Sequence, residues 1–160
     1  MNKRKHIKWD ENSGPAHNAR HHLPALVADY FARVRGTIGG QATASEMHAL
    51  RLLTKRLRYT LELFRPCYGP GLRMRLATLR QLQQCLGEMN DCAAAKRMLA
   101  GCVKKNSIQQ RQLDQFLAQR GFERASEFRR IWTQEFDAPG KQQWWVRYLA
   151  RHARPAPGKR

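Results

Sequence analysis

The chain of 160 residues has the length of a single domain with a hydrophobic core of its own. Its 30 lysines and arginines outnumber 12 acidic residues, and the net charge of +18 predicts attraction to a polyanion: nucleic acid, an anionic membrane or polyphosphate. A hydrophobic content of 42% excludes wholesale disorder, and the lack of any apolar run of about 18 residues excludes a transmembrane helix. The four cysteines form no C-x-x-C pair, so we expect reduced thiols in a cytosolic protein.

The N-terminal segment is polar, basic and rich in histidine, and Ser13-Gly14-Pro15 interrupts any periodicity. We therefore predict a flexible arm over residues 1–22. Pro24 suits the first turn of a helix, whose apolar positions recur as far as Val34 before glycines end it from Gly36 onwards.

A second helix is marked by its sequence at both ends. Thr43 and Glu46 have the spacing of a capping box, in which the hydroxyl and the carboxylate each satisfy a free backbone amide. Pro66 ends the helix. Apolar residues recur along it with helical spacing and predict one buried face: Leu50, Leu53, Leu57, Leu61 and Phe64.

The far side of this helix carries the most informative pattern in the chain, a basic stripe formed by His48, Arg51, Lys55 and Arg58. Steps of three, four and three residues place these side chains in one line, roughly 140–160° from the apolar face. Neighbouring like charges on a helix repel by roughly 0.2–0.5 kcal/mol each, a cost that a bound polyanion removes. We interpret the stripe as a polyanion-binding face; the alternative is an ordinary solvated charged face.

Further residues broaden or orient the basic stripe. Arg56 and Tyr59 widen it on the same helix, and Glu62 lies one turn from Arg58 and can pair with it. We expect Asp91 to cap a later helix and to draw an arginine of the stripe into position. Basic residues of later helices can line the same surface: Arg73, Arg80, Lys96 and Arg97. A solubilising role fits Lys96 and Arg97 equally well.

The rest of the chain is predicted to be helical as well. A tight connection at Gly69-Pro70-Gly71 leads to a third helix that stops at Gly87, and Asn90 or Asp91 caps a fourth helix that runs to about Lys105. A fifth and a sixth helix, separated by Gly121, are expected at about 107–119 and 122–136, before a Trp/Tyr segment at 144–149.

No alternating strand pattern occurs, so the predicted fold class is all-α. The short connections imply an antiparallel four-helix bundle over residues 23–105. Additional C-terminal helices over 106–150 are expected to pack on this bundle, with the Trp/Tyr segment as a cap that closes it rather than a ligand box. A mobile basic tail is expected over 151–160.

The histidines raise the question of a metal site. His17 and His21, with His22 beside them, have the i, i+4 spacing that can bind a divalent metal, but in a flexible arm this indication is weak. His48 lacks further ligands at helical spacing, so we interpret it as a hydrogen-bond donor to an anionic oxygen rather than a metal ligand or a core histidine. No P-loop, zinc-protease, nucleophile-elbow or dinucleotide motif occurs, so we predict no catalytic residue, no metal site and no cofactor.

Two motifs, in the expected order, resemble those of the CHAD family, the conserved histidine α-helical domain. The first is His48-x-x-Arg51-x-x-x-Lys55-Arg56-x-Arg58-Tyr59-x-x-Glu62-x-Phe64. The second is Leu79-x-x-Leu82-Gln83-x-x-Leu86-Gly87-x-x-Asn90-Asp91. Together they cover about residues 45–100, with a departure at Asn90, where many family members have arginine.

This resemblance implies a helical bundle that binds inorganic polyphosphate, with five matching residues on the ligand-facing helix: His48, Arg51, Lys55, Arg56 and Arg58. Typical members carry two four-helix units across a basic groove, whereas one copy of the motif occurs here. Either a homodimer rebuilds the groove or a single open face binds. We predict a non-enzymatic, cytosolic polyphosphate-binding protein without a membrane partner, of a kind found at polyphosphate granules. The alternative is a nucleic-acid-binding helical protein whose aromatic C-terminal segment stacks on bases.

Overall fold

The computed structural model describes residues 7–40, 42–102 and 107–155, and every regular element within them is helical. The α-helices are α1 (Pro15–Ile38), α2 (Ala44–Leu63), the single turn α3 (Arg65–Tyr68), α4 (Pro70–Cys102), α5 (Ile108–Ile131) and α6 (Lys141–Arg151). A π-helical turn, Trp132–Phe136, follows α5 directly. The predicted all-α class is confirmed. In the described part of the chain, no helix combines the length and the apolar character needed to cross a membrane.

α2 packs against both α1 and α4, and α6 packs against α1. Buried apolar residues of these helices, of the end of α5 and of the π-helical turn form one core. The apolar face predicted for α2 is buried, with Leu53 only partly so. A polar pair lies within this core, since the Tyr30 hydroxyl and Thr54 Oγ1 are 3.1 Å apart and Thr54 donates to the Leu50 carbonyl at 2.9 Å. Complete burial raises the pKa of Tyr30, so the pair stays neutral.

The first helix starts much earlier than its sequence predicts. α1 begins at Pro15, where a proline in the first turn costs no hydrogen bond, and it continues through Pro24. Buried Asn18 holds the preceding loop, because its Nδ2 donates to the carbonyl oxygens of Asp10 at 2.8 Å and Ser13 at 3.0 Å. The prediction of a flexible arm over 1–22 is therefore wrong for residues 10–22, while residues 1–6 lie outside the described part.

The third and fourth predicted helices are one continuous helix, α4. Gly87 does not end it: α4 runs through this position, and Gly87 does not adopt the positive φ that glycine commonly takes just beyond a helix C-terminus. Asn90 and Asp91 lie inside α4 and cap nothing. Residues 23–102 thus form three long helices and one turn, not the predicted four-helix bundle.

The C-terminal half of α4 and most of α5 form a hairpin in which few side chains are buried. α5 is continuous through Gly121, contrary to the prediction of two helices separated there, and the Phe122 side chain is exposed. Leu99 is only partly buried and Cys102 is exposed.

The Trp/Tyr segment forms α6, which closes the core through Trp145 and Leu149. Reciprocal hydrogen bonds join it to α3: the Tyr68 hydroxyl donates to the Leu149 carbonyl at 2.7 Å, and the Tyr148 hydroxyl donates to the Tyr68 carbonyl at 3.1 Å. Beyond α6, the Arg154 amide donates to the Cys67 carbonyl at 2.8 Å. The tail predicted to be mobile from residue 151 is therefore held as far as 154, and residues 156–160 lie outside the described part.

Candidate anion-binding surface

The basic stripe lies on a helix whose start is well defined. Thr43 Oγ1 accepts from the Glu46 amide at 3.2 Å, and the Glu46 carboxylate accepts from the Thr43 amide at 2.7 Å, so the predicted capping box is present. Because Leu50 and Leu57 point into the core, the stripe faces away from it. His48 and Lys55 are exposed, and Arg51 and Arg58 are partly buried along the side of α2.

Arg58 is held in place by hydrogen bonds to its own helix, α2, and to α4. Its Nε donates to Gln83 of α4 at 2.6 Å, and its Nη1 donates to both Glu62 oxygens at 2.7 and 2.8 Å. Only 14% of the Arg58 side chain is exposed, so this arginine joins α2 to α4 as well as contributing charge. The pairing of Glu62 with Arg58 that the spacing predicts is present.

Glu62 also brings a second arginine to the surface. Arg80 of α4 donates to Glu62 Oε1 from Nη2 at 2.8 Å and from Nε at 3.2 Å. Burial raises the pKa of Glu62, but hydrogen bonds and charge from Arg80 and Arg58 outweigh it, and the pKa lies below its ordinary value. Glu62 is thus an anion between two cations, and it fixes the distance between α2 and α4 at this point.

His48 is oriented from α4 as well. Its Nδ1 is 3.1 Å from Asn90 Oδ1, so this nitrogen donates to the amide oxygen and Nε2 is left for another partner. Asn90 therefore orients a residue of the stripe rather than capping a helix. Asp91 is exposed within α4, and the described contacts place no arginine of the stripe against it, so the orienting role expected for Asp91 is not observed.

Two cations of the stripe flank Tyr59. Lys55 Nζ lies 5.6 Å, and the Arg58 guanidinium 4.2 Å, from the centre of its ring, which is half exposed. Arg56 is exposed too, but it lies about 100° around the helix from Lys55, on the outer edge of the surface. Lys55, Arg56 and Tyr59 are thus exposed to solvent beside the partly buried Arg58.

The basic residues of α4 fall into two groups. Arg73 and Arg80 are seven residues apart, which is two turns, so they share one side of the helix. Arg97 follows Asn90 by the same interval, so it lies on the side of α4 that contacts His48, about 100° around the helix from Arg80. Lys96 lies about 160° around α4 from Arg80, so it does not share the surface on which Arg80 lies.

Gln83 is the site residue that sequence reasoning missed, although it belongs to the second motif. Its contact with Arg58 spans 25 positions of the chain, so helical spacing within one helix carries no signal for it. Only the packing of α2 against α4 reveals this role.

The aromatic residues of α6 are engaged with one another. The ring of Trp144 stacks on that of Tyr148 at 4.6 Å, Tyr148 stacks on His152 at 5.1 Å, and the Arg75 guanidinium lies 3.0 Å from the centre of Trp144. Trp145 is buried. Trp144, Tyr148 and His152 also line an open cleft, from which bases would have to stack on this segment in the alternative function.

A family model described as the CHAD domain matches residues 3–100 of the chain. The match extends beyond the two motifs to include all of α1, and it ends near the C-terminal end of α4, so α5 and α6 lie outside it. No curated protein and no solved structure matches the chain significantly.

Proposed function

This chain belongs to the CHAD family, and we propose that it binds inorganic polyphosphate, without catalysis, on the surface shared by α2 and α4. The observation that carries this proposal is the linked set of cations: Glu62 holds Arg58 and Arg80 together, next to exposed Lys55 and half-buried Arg51. The stripe from His48 to Arg58 spans about 15 Å along α2, enough for several phosphate units.

The cations of this surface differ in what they offer a phosphate chain. Arg58 and Arg80 already donate hydrogen bonds to Glu62, and Arg58 also donates to Gln83. Fewer of their N–H groups are therefore left for phosphate, and they mainly shape the surface. Arg51 presents a planar fork suited to bidentate phosphate contacts, whereas Lys55 is a movable point charge. Arg51 and Lys55 are therefore the residues to which we assign most of the binding energy.

A homodimer bridged by the ligand is the assembly we propose for this binding. One chain presents one stripe, and a net charge of +18 opposes the approach of a second copy. A polyphosphate chain between two stripes would neutralise both and recreate a two-sided groove. In the cytosol such binding would serve storage, targeting to polyphosphate granules or regulation.

The test compares two variants that each lose two cations. Arg51→Ala/Lys55→Ala removes the central stripe, and Arg129→Ala/Arg147→Ala removes exposed charges from α5 and α6. At about 1.5 kcal/mol for each charge-assisted contact, the loss of two such contacts should weaken binding by about 150-fold. It should also reduce the slope of log K against log salt by about one per cation removed. Fluorescence anisotropy with labelled long-chain polyphosphate at several salt concentrations measures both quantities.

Equal losses in the two double variants would refute the assignment to the stripe. Competition with single-stranded and duplex DNA at matched charge tests the alternative function. A preference for either nucleic acid at physiological salt would overturn the polyphosphate proposal, and a persistent preference for polyphosphate supports it.

A further inference from the structure

Two histidines near the start of α1 lie in a different setting from the arm that their sequence predicts. Because α1 begins at Pro15, His17 and His21 are about one turn apart on the same side of a formed helix, and both are exposed. Their rings are nearly parallel, with 11° between the planes, and the ring centres are 6.4 Å apart. The i, i+4 spacing is therefore realised in three dimensions.

This separation is close to the one that a shared metal ion requires. Zinc lies about 2.0–2.1 Å from an imidazole nitrogen, and so about 3 Å from the ring centre, which puts two rings around one ion about 5–6 Å apart. To bind one ion, the rings of His17 and His21 must approach by about 1 Å, and because they are stacked each must also turn to aim a nitrogen at the ion. Exposed side chains make such rotamer changes within nanoseconds. Two histidines at i and i+4 on a helix are also the ligand pair of helical zinc sites in enzymes.

A carboxylate is held beside this pair. The carboxylate of Asp10 accepts from the Ser13 hydroxyl and, at 3.0 Å, from the Asn12 amide. Hydrogen bonds from Ser13 and Asn12, together with attraction to His17, lower the pKa of Asp10. An anion in this position favours a cation at the histidines.

His22, the third histidine near the start of α1, already contacts other aromatic rings. The His22 ring meets the edge of His21 with ring centres 4.7 Å apart, and it packs against Trp9 at 5.0 Å. Across residues 7–40, 42–102 and 107–155, no three His, Cys, Asp or Glu side chains are grouped as a metal site. A metal at His17 and His21 would thus keep several positions for water, as exchangeable sites do and closed structural sites do not.

We propose that His17 and His21 chelate one divalent transition-metal ion of the zinc class, with water completing its coordination. The site uses the start of α1 and no residue of the basic stripe, so it is independent of polyphosphate binding.

Isothermal titration calorimetry of the full chain with Zn²⁺ at pH 7.5 tests the site. Polyphosphate is left out of the titration because that polymer itself chelates zinc. We expect one ion per chain in the wild type. His17→Ala/His21→Ala should weaken binding at least about tenfold, because the loss of even second-shell partners costs a metal site about that much. The matched variant His48→Ala, which also removes an exposed histidine, should bind as the wild type does.

Three further measurements keep the test decisive. Far-UV circular dichroism should show that the double variant is folded, and His21→Gln provides a second substitution if it is not. In NMR spectra, zinc should shift the imidazole resonances of His17 and His21 but not those of His152. Unchanged affinity in the double variant, or loss of binding in Cys102→Ser, which removes an exposed thiol, would overturn the proposal.

Discussion

Glu62 shows how a single acidic residue shapes a basic surface. It lies between Arg58 and Arg80, and its bonds to both set the position of two cations on two different helices. Without it, the two guanidinium groups would repel each other across the α2–α4 interface. The carboxylate therefore stabilises the arrangement of the cations that we propose to bind polyphosphate.

Replacing this carboxylate should cost stability in a pH-dependent way. Because the pKa of Glu62 is lowered in the folded protein, its stabilisation is present above the unfolded value of 4.5 and is lost as pH falls through the folded pKa. We expect Glu62→Gln to lower the free energy of unfolding by about 0.5–1 kcal/mol at pH 7, since the arginines are partly hydrated. Urea denaturation of both proteins at pH 7 and below pH 4 measures the difference.

The difference between wild type and Glu62→Gln should shrink towards zero in the acidic series. Glu11→Gln, at an exposed position, is the matched control and should be neutral at both pH values. A Glu62→Gln deficit that persists unchanged at low pH would mean that shape, not charge, is the contribution of Glu62.

At the scale of the helices, the continuity of α4 decides which residues meet at the surface. Because α4 does not break at Gly87, Arg80, Gln83 and Asn90 stay on one rigid axis. That axis places Gln83 against Arg58 and Asn90 against His48, ten residues apart on α2. A break at Gly87 would have separated these two contacts.

Gly87 itself offers a direct test of this continuity. A Cβ at this position would meet nothing within 4 Å, and the backbone is helical. Gly87→Ala should therefore stabilise the protein by about 0.5–1 kcal/mol, because alanine loses less backbone entropy in a helix. Thermal or urea denaturation measures the change.

Gly140 provides the opposite case, since its φ of 80° is one that alanine adopts only with strain. Gly140→Ala should destabilise the protein by about 1 kcal/mol or more. If Gly87→Ala were equally destabilising, Gly87 would be ending a helix and the continuous α4 would be wrong.

For the molecule as a whole, the net charge of +18 governs how two copies can meet. In the proposed assembly the contact between the stripes depends on the anion. We therefore expect multi-angle light scattering to report a monomer at about 150 mM salt and a complex of two chains after addition of substoichiometric long-chain polyphosphate.

High salt should dissociate this complex of two chains, because it screens the attraction between phosphate groups and cationic side chains. Arg51→Ala/Lys55→Ala should prevent its formation, while Arg129→Ala/Arg147→Ala should not. A stable dimer without polyphosphate would show that the copies meet elsewhere, and a complex limited to one chain would show that a single open face is enough.

Features that depend on a few neighbouring residues were predictable. The all-α class, the capping box at Thr43 and Glu46, and the buried face of α2 follow from periodicity and end signals within one or two turns. The line of His48, Arg51, Lys55 and Arg58 follows from the same 3.6-residue repeat. The amino-acid sequence alone thus determined that these four basic residues lie along one side of α2.

Features that depend on distant contacts were decided only in the tertiary structure. Pro24, Gly87 and Gly121 each admit both a break and a continuous helix, and the structure has the continuous one. Buried side chains flank Pro24 in α1, while Gly87 and Gly121 lie in α4 and α5, which pack against each other. The contacts of Arg58 with Gln83 and of His48 with Asn90 join α2 to α4 across 25 and 42 positions of the chain. Local sequence specifies which way a helix face points, but which groups complete that face depends on packing between helices far apart in the chain.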